Sequence, residues 1–399
     1  MILDKLFQLM AEKQASDLFI SAGVPIHIKI QGESIPINHQ SMDPGMIEKI
    51  ALELMSDAQA LQFETNKEMN LSISVPQIGS FRVNLFRQRS SIAIVIRYIA
   101  AEIPLLASLA LPPVLADLIM EKRGLILVVG ATGSGKSTTI ASMLDHRNAN
   151  RSGHILTIED PIEFLFKHKK SIVNQRELAM DTLGWEPALK NAMRQAPDCI
   201  LIGEIRDKET MQAAIAYAQT GHLCVGTLHA NNSYHALTRI INFFPLENRS
   251  SLYLDLSASL RAIISQRLVR KPDGKRTPTA EVLLNTRHIQ ELIEHGEVSA
   301  IKDAMEQSLA PGSQTFEQDL FRLYQEETIT LDEALANADS PTNLSWLINN
   351  WQRPEGSNKD IKPPASQFDL AENKSSTASF KEFALDFPNA EASTNNSSS

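Results

Sequence analysis

The sequence predicts an α/β protein in two unequal parts. A small α+β domain comes first, then a larger domain built on a mostly parallel sheet, and a disordered C-terminal tail follows. Three observations carry that prediction. The 399 residues can bury more than one core. Four apolar runs, GLILVVG, HILTIED, CILIGEI and LCVGTLHA, are separated by helical patterns, the alternation of a parallel sheet covered on both faces. From Gln352 onward Ser, Asn, Pro and Ala dominate and the chain ends NNSSS, a composition with too little apolar surface to order itself.

The elements follow in chain order. MILDKLFQLMAEKQASDLFI reads as an amphipathic helix; it lacks the basic head and small-residue cleavage site of a secretion signal. IHIKI, ISVP, FRVNLF and IAIVIRYI read as short strands around one helical stretch near MIEKIALELM, giving a domain over 1–98. Proline-bearing IPLL and LPPVL suggest a linker over 99–113 that leads into a helix. The second domain spans 114–350. It includes LVRKPDGKRTPTAEVLL, a hairpin turning at Asp273-Gly274, and helical segments that continue to about Trp351. Two aromatic-acidic islands, QFDLAEN and FKEFALDF, interrupt the tail over 351–399 and read either as incidental or as a partner-binding motif.

Composition narrows the function classes. Hydrophobic residues make up 43%, charged residues 21%, and the net charge is −9, a balance that fits a soluble enzyme and disfavours a nucleic-acid binder. The longest apolar runs fall short of the ~20 residues of a spanning helix, so no direct membrane insertion is expected. Cys199 and Cys224 cannot form a four-cysteine zinc site and read as small buried hydrophobes of a cytoplasmic protein.

Chemistry enters at GATGSGKSTT. The pattern Gly-x4-Gly-Lys-Ser is met by Gly130, Gly135, Lys136 and Ser137 between a strand and a helix. Glycines turn successive N–H groups towards one point, and the helix beginning near Lys136 adds its positive end. Lys136 would reach the β- and γ-phosphates and Ser137 would ligate Mg²⁺, so the loop is expected to hold a nucleoside triphosphate. Three further strand ends carry candidates. HILTIEDPIEF offers Glu159, Asp160 and Glu163, to polarise water or hold the metal; CILIGEIRD offers Glu204, to orient Mg²⁺. GHLCVGTLHANN sets His222 and His229 about its strand, His229 at the carboxyl end to sense a γ-phosphate. Arg82, Arg87, Arg89 and Arg97 of the first domain read either as a charged sheet edge or as groups that swing over a nucleotide.

GATGSGKSTT, TIEDPIEF, LIGEIRD and TGHLCVGTLHAN, in this order and at these separations, resemble the secretion-superfamily ATPases of type IV pili and type II secretion. ASDLFISAGVPIHIKIQGE and FRVNLFRQR narrow the resemblance to the type IV pilus retraction ATPases, the PilT/PilU family, and it runs from about Met1 to Asn350. Assembly-type relatives typically carry a longer N-terminal extension and a four-cysteine zinc element, neither of which is present. Within the retraction branch the chain looks more like the PilU type. Phe19 stands where PilT proteins usually have His. HIQELIEH (288–295) stands where they have AIRNLIRE, with Gln290 replacing the family arginine, and the chain extends beyond that region.

The resemblance implies a PAS-like N-terminal domain joined to a RecA-like P-loop NTPase domain, assembled as a homohexamer. It implies an ATPase using ATP and Mg²⁺. Gly130, Thr132, Gly133, Ser134, Gly135, Lys136, Ser137 and Thr138 would hold the nucleotide; Ser137, Glu204, Glu159 and Asp160 would hold the metal. Glu163 would be the catalytic glutamate, with Glu204 and His229 beside it and Arg82 and Arg97 as arginine fingers. Arg194 and Arg206 read equally as interface contacts or structural ion pairs. Implied partners are a PilT paralogue and a PilC-like inner-membrane platform protein, with the protein cytoplasmic and peripheral to the inner membrane at the pilus base. An accessory retraction motor is the expectation. A self-sufficient PilT-type motor, a ring that binds ATP but scarcely hydrolyses it, and a nucleic-acid translocase are the alternatives; the acidic balance counts against the last.

Overall fold

The computed structural model describes residues 2–30, 32–75, 78–99 and 102–351. Apart from Trp351, the expected tail with its two aromatic-acidic islands lies outside them. The chain divides into two compact units, with the boundary between residues 101 and 102.

The first unit opens with α1 (Ile2–Glu12), then β1 (Asp17–Ile20), β2 (His27–Ile30) and β3 (Glu33–Pro36). The helices α2 (Pro44–Leu54) and α3 (Asp57–Asn66) follow, then β4 (Glu68–Val75), β5 (Gly79–Gln88) and β6 (Ser91–Ile99). Its six strands run in the order β3-β2-β1-β6-β5-β4, all neighbours antiparallel. Leu3, Leu6, Phe7 and Met10 recur at helical spacing, and all four are buried. Phe7 stacks on Phe81 of β5, ring centroids 4.3 Å apart, within a core that includes Leu18, Ile47, Val83 and Ile96. The sequence singled out α1 and α2, although the DLFI end of the stretch read as the first helix is β1; α3 buries Phe63 alone and therefore shows little periodicity. It starts on a capping box between Ser56 and Gln59.

The second unit begins earlier than the expected linker would allow. Leu106 and Leu111 pack against its core and Ser142 Oγ donates to the Pro104 carbonyl (2.7 Å), so the proline-bearing stretch from residue 102 is bound to this unit rather than spanning freely. Its elements are α4 (Val114–Ile119), β7 (Gly124–Val129), α5 (Lys136–Asn150), β8 (Gly153–Glu159), β9 (Ser171–Glu177), α6 (Trp185–Ala192), β10 (Cys199–Ile202), α7 (Lys208–Gln219) and β11 (Leu223–Leu228). Then come α8 (Ser233–Asn242), α9 (Arg249–Ser259), β12 (Leu260–Arg270), β13 (Arg276–Leu284), α10 (Arg287–Glu294), α11 (Ile301–Glu306), α12 (Phe316–Gln325), α13 (Leu331–Asn337) and α14 (Pro341–Asn349).

Seven strands run in the order β13-β12-β7-β11-β10-β8-β9, parallel except where the hairpin turns β13 back on β12. Every residue of β7 is buried, and their alternation feeds two cores. Leu125, Leu127 and Val129 enter one cluster, Ile126 and Val128 the other. Cys199 and Cys224 are buried in neighbouring strands, and burial pushes both thiols up, Cys199 to about 11. A third cluster, with Val269, Phe316, Leu320, Leu323 and Leu344, packs α12 and α14 beside β12. Among the described residues no helix is long and apolar enough to cross a membrane.

Candidate active site

Parallel pairing brings the carboxyl ends of β7, β8, β10 and β11 to one edge of the sheet, where open α/β sheets bind ligands. The loop 130–135 joins β7 to α5 there. Gly133 and Gly135 hold φ of 78° and 89°, the left-handed region that favours glycine. Close approach supplies a second reason for glycine. A Cβ on Gly130 would lie 2.5 Å from the Gln266 carbonyl oxygen, and one on Gly135 2.7 Å from Gln266 Nε2.

Gln266, buried in the middle of β12, uses its carboxamide at both ends. Nε2 donates to the Ser134 carbonyl (2.9 Å) and Oε1 accepts from Thr139 Oγ1 (2.6 Å), tying the loop to the first turn of α5. Ser134 Oγ is buried without a hydrogen-bond partner. Lys136 Nζ donates to the loop's own carbonyls, Gly130 (2.8 Å) and Ala131 (2.9 Å). Burial pushes its ammonium below the usual lysine range, against the opposing pull of the Glu163 and Glu204 charges. Thr132 is exposed in the loop and Thr138 half-buried in the first turn. An orphaned hydroxyl, an ammonium and a glycine-bounded helix start form a set that suits phosphate oxygens.

The acids gather beside this loop. Ser137 Oγ donates to Glu163 Oε1 (2.9 Å). Glu204, just after β10, accepts from Arg206 Nε (2.6 Å) and lies 3.4 Å from Nε2 of His229, just after β11. Arg206 also reaches Asp160 Oδ2 (3.5 Å), so it serves as an ion-pair centre for two of the acids. Glu159 is engaged differently from the metal-holding acid expected of it. Its Oε1 accepts from Thr157 Oγ1 (2.6 Å) and Gln175 Nε2 (3.2 Å), and burial pushes the carboxyl up to about 7. His222 precedes β11, hydrogen-bonded to Thr220 and Tyr217 at the strand's opposite end from His229. Arg194 meets only Asn191 among the contacts of its side chain described (3.5 Å).

Arg82 and Arg97 belong to the first unit, where they stand directly opposite each other across β5 and β6. Arg97 Nε donates to Asp17 Oδ1 (2.8 Å), and Arg87 pairs with Glu64 while its guanidinium lies over Phe63. Arg89 sits at a φ of 45° in the β5–β6 turn. Sequence reasoning missed Gln266, Thr157 and Gln175. The one signal for Gln266 was a polar break in the apolar strand LRAIISQRLVR, which carries no hint of a partner 132 residues away.

The profile of the family described as "Type II/IV secretion system protein" matches residues 1–308. The chain is 49% identical over 346 residues to the type IV pilus ATPase PilU of Pseudomonas aeruginosa, covering 86% of this chain and 91% of that protein. It is 38% identical over 344 residues to the PilT retraction ATPase of the same organism, covering 86% and 100%. The crystal structure of the pilus retraction motor PilT with bound ADP superimposes with a TM-score of 0.80 at 40% identity, covering 86% of this chain and 98% of that one.

Proposed function

The chain belongs to the Type II/IV secretion system protein family, in its PilT/PilU pilus-retraction branch, and on that premise we propose that it is an ATP-hydrolysing motor promoting type IV pilus retraction as an accessory to a PilT paralogue. The observation that carries hydrolysis, rather than storage of nucleotide, is the 2.9 Å hydrogen bond from Ser137 to Glu163 with Glu204 also close enough to act on Lys136. Carboxylates beside a phosphate loop repel the ligand's own charge. Their presence is accounted for if one activates water and another helps hold a cation.

Lys136 exchanges its two carbonyl partners for the β- and γ-phosphates. Glu163 leaves Ser137 and accepts the proton of the attacking water. His229, held beside Glu204, contacts the γ-phosphate. Ser137, with Glu204 and Asp160 acting through water, would hold Mg²⁺, which neutralises phosphate charge when bound; Glu159 fits this role least because neutral donors occupy it. No group of three or more His, Cys, Asp or Glu among the described residues could hold a metal alone, which suits an ion that arrives with the nucleotide. Arg82 and Arg97 act as fingers on nucleotide bound by a neighbouring subunit of a homohexamer, and Arg97 exchanges Asp17 for phosphate when it does so. Loss of the γ-phosphate removes the shared ligand and releases a PAS-like first unit from a RecA-like second one, a motion passed to a PilC-like platform protein in the inner membrane. The higher identity to PilU than to PilT supports the accessory role.

Phosphate release by the purified full chain tests the reading. Lys136→Ala and Glu163→Gln should each lower kcat by about 100-fold or more. Turnover absent from the wild type would leave a ring that binds ATP but scarcely hydrolyses it, and turnover unchanged in both variants would remove the roles given to Lys136 and Glu163. In cells, loss of the paralogue with normal twitching would replace the accessory role by a self-sufficient one.

A further inference from the structure

The loop that follows β11 carries His229 and is fastened at four points. Arg239 Nη1 donates to the His229 carbonyl (2.9 Å), and Arg267 Nη2 to the Asn231 carbonyl (3.1 Å). Ser233 N donates to Glu281 Oε1 (2.7 Å), which also accepts from Ser265 Oγ (3.0 Å). The fourth anchor comes from far along the chain. Asp339, between α13 and α14, accepts from Asn232 Nδ2 (2.6 Å) through one oxygen and from Arg267 through the other. Arg267 in turn donates to the Asn337 carbonyl and lies 3.9 Å above the Phe316 ring.

Residue 339 lies beyond residue 308, where the family profile ends. The C-terminal helices thus add a fastening to the active-site loop from outside the residues that the profile matches. The strand β12 keeps this fastening apart from the phosphate loop. Ser265 and Arg267 project to one face and meet the His229 loop, whereas Gln266 projects to the other and holds Ser134 and Thr139.

We propose that Asp339 is a positioning residue for the hydrolytic step. With the helices α12–α14 behind it, Asp339 holds residues 231–232 so that His229 stays at Glu204, and it sets turnover without contacting nucleotide. The proposal rests on His229 acting in hydrolysis. It places control of kcat, but not of nucleotide affinity, in the C-terminal helices. A partner that displaces those helices would slow the motor without emptying its sites.

The pair Asn232–Asp339 allows a test by exchange of donor and acceptor. Asn232 also caps α8 by accepting from the His235 N–H (2.9 Å), and an aspartate caps equally well. Asn232→Asp therefore keeps the cap but sets two carboxylates against each other. Asp339→Asn keeps the shape but loses the anion that Arg267 faces, leaving that largely buried guanidinium to the Asn337 and Asn231 carbonyls. The double variant restores a carboxylate and an amide with their places exchanged.

Phosphate release and binding of a fluorescent ADP are measured on the full chain, with His229→Ala alongside. Each single variant should lose about three- to thirtyfold in kcat, the range for loss of an orienting contact. KM for ATP and the ADP Kd should stay within about twofold, because the phosphate loop is held from the other face of β12. The double variant should return to within about threefold of wild type. Single variants at wild-type kcat, a proportionate rise in KM, or a double variant no better than the worse single each overturn the proposal. If one single variant fails to fold, the other and the double variant still decide it. A wild-type rate in His229→Ala would instead remove the functional reading on which the proposal stands.

Discussion

Glu159 is the residue at which burial and charge conflict most clearly. Its carboxyl is raised from 4.5 to about 7, first by burial, with Glu163 and Glu177 adding to the rise while Thr157 and Gln175 oppose it. A carboxyl raised on folding binds more protons in the folded than in the unfolded state between those two values. Its penalty is thus absent below about pH 4.5, grows as pH rises, and is complete above about 7. Full burial would put that penalty at up to about 3 kcal/mol, less for the solvent contact the residue retains. Glu159→Gln keeps the acceptor for Thr157 and removes the charge. The variant should melt several degrees higher than wild type at pH 8 without nucleotide, with the gap shrinking towards pH 5. Thermal unfolding across that range checks it, and a gap that widens on acidification would show that the neutral donors outweigh burial. From the sequence Glu159 was one of three acids at a strand end. Thr157 two residues before it gave no sign of separating it from Asp160 and Glu163, because burial and Gln175 on β9, sixteen residues on, complete the separation.

At the scale of elements, β12 explains why the phosphate loop has its glycines where it does. The two clashes that forbid a side chain differ in kind. At Gly130 a Cβ meets the Gln266 backbone oxygen and, equally close, Ser134 Oγ; at Gly135 it meets the end of the Gln266 side chain. Gln266→Ala should cost about 1–3 kcal/mol in stability, since Ser134 O and Thr139 Oγ1 lose their buried partner, and it should weaken ADP binding as the loop loosens. Combined with Gly135→Ala its effect should fall short of additive, because the colliding amide is gone and only the left-handed backbone strain is left. Combined with Gly130→Ala it should come closer to additive, because the carbonyl stays in place and only the Ser134 contact is shared. Urea unfolding of the five variants, three single and two double, with the wild type as reference decides this, and equal coupling in both pairs would contradict the geometry. The strands β7, β8, β10 and β11 were legible as unbroken apolar runs because helices cover both their faces. The edge strand β9, SIVNQRE, alternates and carries charge, so it had no such signature. Loop, acids and histidine were legible from residue type and position after those runs, whereas Gln266 ties the loop down from 127 and 132 positions away.

Across the whole molecule, the two units hold separate cores, and every side chain of the candidate phosphate site belongs to the second. Ligand that binds only folded protein stabilises it by mass action, about 2.7 kcal/mol at a hundred times Kd. ADP should therefore slow hydrogen exchange in peptides spanning β7, residues 130–138 and β12. Peptides from β1 and α2 should exchange at their nucleotide-free rate. Lys136→Ala should abolish the effect at the same ADP concentration. A non-hydrolysable ATP analogue, read on the assembled protein, separates binding from the proposed closure. If Arg82 and Arg97 take hold of a γ-phosphate, then β5 and β6 gain protection with the analogue that ADP does not confer, and replacing both arginines by Ala removes that added protection while leaving residues 130–138 protected. Slowing spread evenly over both units by ADP would mean that they open as one cooperative body. Equal protection of β5 and β6 by the two nucleotides would mean that the terminal phosphate is not what these arginines sense, and the power stroke would then need another grip.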